Sequence, residues 1–218
     1  RSILYYGATG PEFADAMASP FSYFKYCTGE GGLRVPFIMS GQGIPQNVKS
    51  SAFCFFTDVA PTIYDLVGLK ISANKGYAPI TGKSMWPHIT DRERPVYGED
   101  EGVGLESGNS AAYFLNGYKI VKNNIPYGDN IWRMYYLPDD PGECHDLAAQ
   151  EPLLFQSLLS AYAAYAETVG VIEMPVGYFA QKEVSKKSVV AILKSRLPFL
   201  LALITVVVGL FVWWKRGR

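Results

Sequence analysis

The stretch YFKYCTGEGGLRVPFIM places a lysine ahead of a glycine-rich turn: Lys25 precedes Gly29, Gly31 and Gly32, and Arg34 follows them. Glycines allow backbone amides to point towards an anion, and a lysine ammonium held nearby adds a positive charge at the same place. This pattern favours binding of an oxyanion by Lys25. The residue types alone leave two alternatives open, a solvated surface lysine and an arginine that forms a salt bridge or packs at a strand.

The same turn predicts a particular backbone geometry. We expect Gly31 or Gly32 to have a positive φ, because glycine adopts this conformation without steric cost. A β-branched residue at either position would then be strongly destabilising.

The remaining side chains that could act as nucleophiles or metal ligands have no catalytic spacing. Cys27, Cys54 and Cys144 are far apart and form no CxxC pair, so neither a zinc site nor a disulfide framework is indicated. His88 and His145 are the only histidines, too few for most metal or acid–base clusters.

Acidic residues gather at two turns and before one helix. Asp58 is placed to cap the helix that follows it, which we prefer to a ligand role. The other acids are interpreted as solvated or turn-forming residues, with a metal or proton-sharing role as the alternative. These acids are Glu99, Asp100, Glu101, Asp139, Asp140, Glu143 and Asp146, the last of which follows His145.

Charge and length limit the classes of protein. The chain has 218 residues and a formal net charge of zero. A nucleic-acid partner is not expected, because such proteins present a strongly basic face. The length suits one sizeable domain or two small ones.

An uncharged apolar run near the C-terminus predicts a transmembrane helix. Residues 197–214, LPFLLALITVVVGLFVWW, contain no charged side chain, and as a helix they span roughly 27 Å, close to the thickness of a bilayer core. Two tryptophans and the basic tail 215–218 end the run. A buried core helix is the alternative. Residues 171–196 are predicted to be a linker.

Periodicity and turn signals predict the other elements. We expect a short buried strand at 32–41, a helix at 58–67 ended by Gly68, and a surface connection at 71–94. Strands are predicted at 94–100, 111–115, 118–122 and 131–138, the middle two joined by an Asn116-Gly117 turn. A helix at 152–169, ended by Gly170, is predicted to lay one apolar stripe on this antiparallel sheet through Leu154, Leu158, Tyr162, Tyr165 and Val169.

Four stretches, in order, resemble sulfatases of the alkaline-phosphatase-like superfamily. The first is the K-x-x-x-x-E-G-G-L-R-x-P pattern from Lys25 to Pro36, and the others are TDVAPTIYDLVGL, FLNGYKIV and YYLPDDPGECHDLA. The likeness covers roughly Tyr5 to Val171, and the lead-in GPEFADAMASPFSYFK is most similar to bacterial arylsulfatases.

The resemblance implies an α/β fold, the C-terminal portion of a sulfatase. Residues 1–70 would end the catalytic domain with the last strand of its large sheet, and 95–170 would form the small antiparallel sheet and its helix. Lys25 would contact the sulfate of a small-molecule ester, as both a catalytic and a substrate-binding residue.

The resemblance also implies two cofactors, formylglycine and calcium. No cysteine here lies in the Cys-x-Pro-x-Arg motif that yields formylglycine, and the family's calcium ligands have no counterpart in this sequence. We therefore predict no metal ligand in this chain, a nucleophile and calcium site upstream of Arg1, and no activity for the chain alone.

Two alternatives to a sulfatase remain open. A relative in the same superfamily could act on phosphate or phosphonate esters, since fold does not fix substrate. The chain could instead be a non-catalytic, membrane-tethered binding module. In either case we expect a single-pass membrane protein, with its globular part outside the cytoplasm.

Overall fold

The computed structural model describes residues 10–70, 79–175 and 177–216. The start of the sulfatase-like match at Tyr5, residues 71–78 of the predicted connection and residues 217–218 of the basic tail lie outside the described residues. A 3-10 turn, Phe56–Asp58, precedes the third helix. The helices are α1 (Pro11–Ala18), α2 (Glu30–Leu33), α3 (Val59–Leu66), α4 (Trp86–Thr90), α5 (Pro152–Val169) and α6 (Ala180–Arg216), and the strands are β1 (Val103–Ser107), β2 (Ser110–Leu115), β3 (Tyr118–Lys122) and β4 (Arg133–Tyr136).

The four strands form one antiparallel sheet in the order β1-β2-β3-β4. Asn116 and Gly117 connect β2 to β3 with φ angles of 47° and 79°, the two positive values that a tight hairpin turn requires. Leu115 pairs with Tyr118 across this turn. The predicted hairpin is therefore confirmed, and β4 confirms the core of the strand predicted at 131–138.

Helix α5 covers one face of the sheet. Tyr113, Ile120 and Met134 are cross-strand neighbours in register, and Leu158 of α5 packs on this row with 1% of its surface exposed. Burying an aliphatic or aromatic side chain of this size contributes about 1.5–3 kcal/mol. This row is the main core of the molecule.

The ends of α5 follow their sequence signals. Pro152 occupies the first turn, and Gly170 ends the helix in the left-handed conformation with φ 70°. The predicted helix over 152–169 is confirmed. Its apolar stripe is shorter than predicted. Tyr165 is the last residue of the stripe that packs on the core, and Val169 is exposed.

The opposite face of the sheet is also buried. Ala112, Phe114, Val121 and Tyr135 form a second cluster there, against Leu33, Phe55 and Leu137. The chain before the sheet therefore covers the face that α5 leaves open, and the sheet is the middle of three layers.

Two predicted strands are absent from the described residues. The segment predicted as a strand at 32–41 forms only the short helix α2 and then an unpaired stretch, with Val35, Phe37 and Ile38 exposed. It lacks a neighbouring strand in the described part of the chain, and the last strand of a large sheet is therefore not formed. Residues 94–100 form bends and a turn instead of a strand, and the Tyr97 hydroxyl donates a hydrogen bond to Asp58.

The helix predicted at 58–67 is confirmed as α3 with its preceding 3-10 turn, and Gly68 has the predicted left-handed φ, 69°. Asp58 does not cap α3 through its side chain. Sequence reasoning missed α1, and it also missed α4, whose short WPHIT sequence has no helical periodicity, and β1, whose VGLES sequence has only two alternating apolar residues.

Helix α6 runs from Ala180 to Arg216 without interruption. The C-terminal two thirds of the predicted linker 171–196 is therefore helical and continuous with the apolar run, and Pro198 lies inside α6. The proposed division into domains at 70, 94, 170 and 196 stays a prediction.

Candidate functional site

Lys25 lies in a loop with an uncommon backbone. Tyr23 and Tyr26, on either side of it, both have positive φ, 65° and 83°, which bulky side chains rarely adopt and which is found mostly at functional or tightly held sites. The Lys25 side chain is exposed, and its ammonium lies 5.3 Å from the centroid of the Tyr26 ring. The structure thus presents Lys25 on the surface from a constrained turn.

Hydrogen bonds to the sheet hold this loop in place. Thr28 donates its backbone N–H to Asn123 Oδ1 at 2.7 Å, and its hydroxyl lies 3.2 Å from the carbonyl oxygen of Ala111. Ser22 Oγ donates to the carbonyl oxygen of Gly142 at 2.6 Å. Three separate parts of the sheet subdomain therefore fix the chain on both sides of Lys25.

The strongest anchor is a network of four charged side chains, of which three are buried and Arg34 is half-exposed. The Lys119 side chain is fully buried, and its Nζ lies 2.8 Å from Glu30 Oε1 and 2.7 Å from Glu143 Oε1. Arg34 Nε donates to the other oxygen of Glu30 at 2.5 Å. Glu143 Oε2 accepts the backbone N–H of Glu30 at 2.8 Å. The two cations balance the two carboxylates, which is the condition under which buried charges are tolerated.

The two acids of this network respond differently to their surroundings. Burial acts on both carboxyls and by itself raises the pKa. At Glu30 the nearby Lys119 and Arg34 outweigh burial, so its pKa is lowered from the ordinary 4.5. At Glu143 burial outweighs the attraction of Lys119, so its pKa is raised. The charged form is therefore favoured at Glu30 and disfavoured at Glu143.

Sheet register explains why a lysine is buried in β3. Lys119 pairs with Phe114 on one side and Tyr135 on the other, so it belongs to the row that faces away from α5. Its Nζ also lies 5.2 Å from the centroid of the Phe114 ring. Once the Glu30 segment covers this face, the ammonium has no route to solvent and must be neutralised by acids.

The glycines of the turn are needed for close packing of the backbone and do not adopt an unusual φ. Gly31 and Gly32 lie in α2 with helical geometry and have no positive φ, so the prediction of a left-handed glycine is wrong. A Cβ at Gly31 would lie 2.1 Å from the carbonyl oxygen of Tyr23, and one at Gly32 would lie 2.3 Å from that of Cys27. Backbone atoms cannot yield to such overlaps. The residues with left-handed backbone are the tyrosines beside Lys25.

The acids of the Pro-Gly turn divide into two groups. Asp140 behaves as predicted, since its carboxylate accepts the backbone N–H groups of Cys144 and His145 at 3.0 and 2.8 Å. Glu143 was predicted to be solvated, and this is wrong, because it is buried in the Lys119 network. The reason is the approach of the Glu30 segment, which shields the turn from water.

Asp58 forms a second buried junction. It is fully buried and accepts hydrogen bonds from the N–H of Phe55 at 2.6 Å, the N–H of Lys83 at 2.8 Å and the hydroxyl of Tyr97 at 2.6 Å. Burial and the neighbouring Asp58 carboxylate raise the pKa of Tyr97. Asp58 therefore joins three chain segments, instead of capping α3 with its side chain as predicted.

The other residues considered for chemistry do not converge. In the described ranges no group of three or more His, Cys, Asp or Glu side chains could hold a metal ion. All three cysteines are free, and burial raises the pKa of the Cys27 thiol, which disfavours the nucleophilic thiolate. His88 contacts Ser50 Oγ and the Arg94 carbonyl oxygen on an exposed surface.

Sequence reasoning did not identify Lys119 as part of this region. One signal was available, since Lys119 stands between apolar residues in a strand of five, but the predicted packing covered only the face of the sheet that α5 contacts. The long-range approach of Glu30, 89 residues away, could not be deduced from this signal.

No family model matches the chain, but several known proteins are similar to it in sequence. An uncharacterized sulfatase of Schizosaccharomyces pombe is 27% identical over 187 residues, covering 83% of this chain and 33% of that protein. An arylsulfatase of Klebsiella aerogenes is 35% identical over 81 residues, covering 35% of this chain and 18% of that protein.

A solved structure shows the same fold. The protein Ps i-CgsB, in complex with k-i-k-neocarrahexaose, superposes with a TM-score of 0.57 at 22% identity, covering 68% of this chain and 32% of that one. The chain thus spans a third or less of the length of each of these three proteins. The chain therefore shares its fold with part of the Ps i-CgsB structure, and this fold contains the small antiparallel sheet packed by a helix that the resemblance to sulfatases implied.

Proposed function

We propose that this chain supplies the C-terminal part of a sulfuric ester hydrolase of the arylsulfatase type. The observation that carries the proposal is the similarity to proteins named sulfatase and arylsulfatase over 83% and 35% of this chain. The substrate would be a small-molecule sulfate ester. The chain's own contribution is the Lys25 loop and the charge network that holds it.

Lys25 would bind the sulfate group. Its ammonium is exposed and is presented by a backbone that hydrogen bonds fix on both sides. A cation fixed in this way stabilises negative charge on sulfate oxygens without having to reorganise during the reaction. The neighbouring positive φ values of Tyr23 and Tyr26 support this role, because strained backbone is concentrated at functional sites.

Formylglycine and calcium would come from elsewhere in the enzyme. The family resemblance implies both, but the cysteines of this chain lie outside the required motif and the described residues form no metal-binding group. The chain does not fit either cofactor, and its residues are assigned no step that uses one. We propose that the chain alone is inactive.

Helix α6 would anchor the protein in a membrane. In the described part of the chain, one helical stretch, Lys182–Val206, is long and apolar enough to span a bilayer by length and composition. This stretch includes five basic residues, whereas residues 197–214 have none. Because charges are costly in hydrocarbon, we place the span at 197–214.

We propose that the globular part faces out of the cytoplasm. Five basic residues precede the span, so the positive-inside rule taken locally favours the opposite orientation. The sulfatase resemblance favours export, and an upstream signal sequence would set the topology first. Protease added to intact spheroplasts should digest the globular part, and protection until lysis would reverse the orientation.

The experiment that tests the function is Lys25→Ala in the natural protein, assayed with an aryl sulfate. Loss of a charge-assisted contact in a water-excluded site costs about 2–4 kcal/mol, so turnover should fall by well over tenfold. Lys49→Ala, which removes another exposed lysine, is the control. Near-normal turnover of the Lys25 variant would contradict the assignment.

Two further outcomes would replace the sulfatase proposal with one of the two alternative functions. A natural protein that hydrolyses phosphate esters and leaves sulfate esters intact would replace the sulfatase proposal. A natural species of about 24.1 kDa, the mass of this chain, without hydrolase activity would favour a non-catalytic binding module. Aryl sulfate hydrolysis by the purified 218-residue chain would overturn the prediction that it is inactive alone.

A further inference from the structure

The first half of helix α6 is strongly basic. It carries one acid, Glu183, which forms an ion pair with Lys186 at 2.7 Å. The five basic residues are Lys182, Lys186, Lys187, Lys194 and Arg196. At about 1.5 Å per residue these cations extend over roughly 21 Å of helix, immediately before the uncharged run.

Three of these lysines share one face. Lys186, Lys187 and Lys194 line a shallow groove together with Val190 and Ala191. All five side chains are exposed. Because residues three and four apart are neighbours on a helix, these five residues lie on one side of it, with the lysines interleaved with the two apolar residues. The face combines apolar side chains with three cations.

This combination matches the boundary of a lipid bilayer. Lysine stems lie along apolar surface while their ammonium groups stay in the polar layer. Anionic headgroups attract basic segments next to a span, and the attraction decays within a Debye length. The basic residues end at Arg196, directly before the uncharged run begins at Leu197. When 197–214 spans the membrane, Lys194 and Arg196 therefore lie at headgroup depth, and the groove extends from there to about 16 Å from the hydrocarbon.

We propose that this face, hereafter the basic face, is a docking surface for anionic phospholipid headgroups. The inference rests on the proposed membrane span. The ligand is a phosphate ester in a lipid headgroup at the membrane surface. Free phosphate, nucleic acid and acidic proteins are the competitors that the experiment must exclude.

The test uses the full chain reconstituted in vesicles of phosphatidylcholine with about a third phosphatidylglycerol, the anionic lipid. Spin-labelled forms of each lipid report the fraction immobilised at the protein surface. We expect preference for phosphatidylglycerol of about threefold, reduced towards equality in about 1 M salt, where the Debye length is about 3 Å. Inorganic phosphate at millimolar concentration should not compete.

A matched pair of variants locates the effect. K186Q/K187Q/K194Q removes three charges from the basic face and should abolish most of the preference. K49Q/K70Q/K122Q removes the same number of charges elsewhere and should retain it. Equal preference in both variants, equal loss in both, competition by free phosphate, or tighter binding of RNA than of lipid would overturn the proposal.

Failure of the underlying span gives a different result. A chain that does not float with neutral vesicles lacks the membrane anchor, and the lipid proposal fails with it. A chain that floats with neutral vesicles but shows no lipid preference keeps the anchor and refutes the docking surface alone.

Discussion

Residues 103–169 bury their apolar side chains against one another, whereas residues 35–69 leave many of theirs in water. The first region contains Ile120, Met134 and Leu158, all 1% exposed or less. In the second region Ile38 is 89% exposed, and Val35, Phe37, Phe56 and Val67 are also on the surface. Both regions have similarly apolar sequences, so composition does not account for the difference.

The difference lies in the number of layers that the chain supplies. The sheet has α5 on one face and the Lys25–Arg34 segment on the other, so its core is complete within the described residues. The 35–69 region packs on the rest of the chain through Phe53, Phe55 and Asp58, and its remaining apolar side chains have no second layer in the described structure. Exposed apolar clusters of this kind are typical of surfaces that pack against other protein.

The largest expected effect comes from a substitution in the charge network of the first region. Lys119→Met leaves Glu143 buried without a cation and Glu30 paired only with the half-exposed Arg34, and we expect a loss of about 3–5 kcal/mol in the free energy of unfolding. Urea unfolding of the full chain in detergent measures it. K119M/E30Q/E143Q should recover part of the loss because both acids are then neutral.

Lys122→Met is the control for this variant. It lies on the same strand, is partly exposed and has its Nζ 5.3 Å from the centroid of the Trp132 ring, in a cation–π geometry. Its loss should be about 1 kcal/mol or less. Equal losses for the two lysines would show that the network does not stabilise the fold.

The second prediction compares two leucines of one helix. Leu158→Ala opens a cavity under the sheet and should cost about 2–5 kcal/mol. Leu153→Ala, at a position that is 87% exposed, should change stability by less than about 0.5 kcal/mol. Thermal and urea unfolding should agree on the order. Similar losses would mean that α5 is not held by this contact.

The third prediction concerns pH. Because the pKa of Glu30 is lowered from 4.5, its stabilisation is present above that value and is lost as the pH falls through the folded-state pKa. Glu143 has a raised pKa, so the stabilisation linked to its protonated form is present below its ordinary 4.5 and is lost as the pH rises through the folded-state pKa.

Two neutral substitutions separate these acids. Glu30→Gln should cost about 1–3 kcal/mol at neutral pH and should flatten the acid limb of the stability curve. Glu143→Gln should cost less, because burial raises the pKa of Glu143 and so makes its charged form less stable than that of Glu30. Unfolding curves from about pH 3 to 7 measure both. A larger loss for Glu143→Gln would reverse this order of the two acids.

The smallest expected effect on stability tests whether the 35–69 region is as exposed as its side chains indicate. Ile38→Ser replaces an exposed isoleucine and should change the free energy of unfolding by less than about 0.5 kcal/mol, while lowering self-association measured by light scattering. Ile120→Ser, the same change at a fully buried position, should resemble Leu158→Ala. A large loss at Ile38 would show that the 35–69 region has a partner within the chain.

Local signals predicted much of the secondary structure. The Asn116-Gly117 turn, the helix over 152–169 and its terminal Gly170 depend on residues close in sequence, so propensity and turn chemistry were sufficient. The predictions of strands at 32–41 and 94–100 were wrong because strand formation depends on residues far apart in sequence. A strand needs a neighbouring strand, and apolar residues alone do not supply one.

The sequence by itself determined that Lys25, the Glu-Gly-Gly turn and Arg34 lie close together, because ten residues connect them. Only the tertiary structure decided that Glu30 is a buried partner of Lys119, that Glu143 joins them, and that Gly31 and Gly32 are needed for space and not for φ. Burial is a property of the layers packed on both sides of a residue. A charged side chain in a strand is solvated or enclosed according to what covers its face, and in this chain the covering segment comes from 89 residues away.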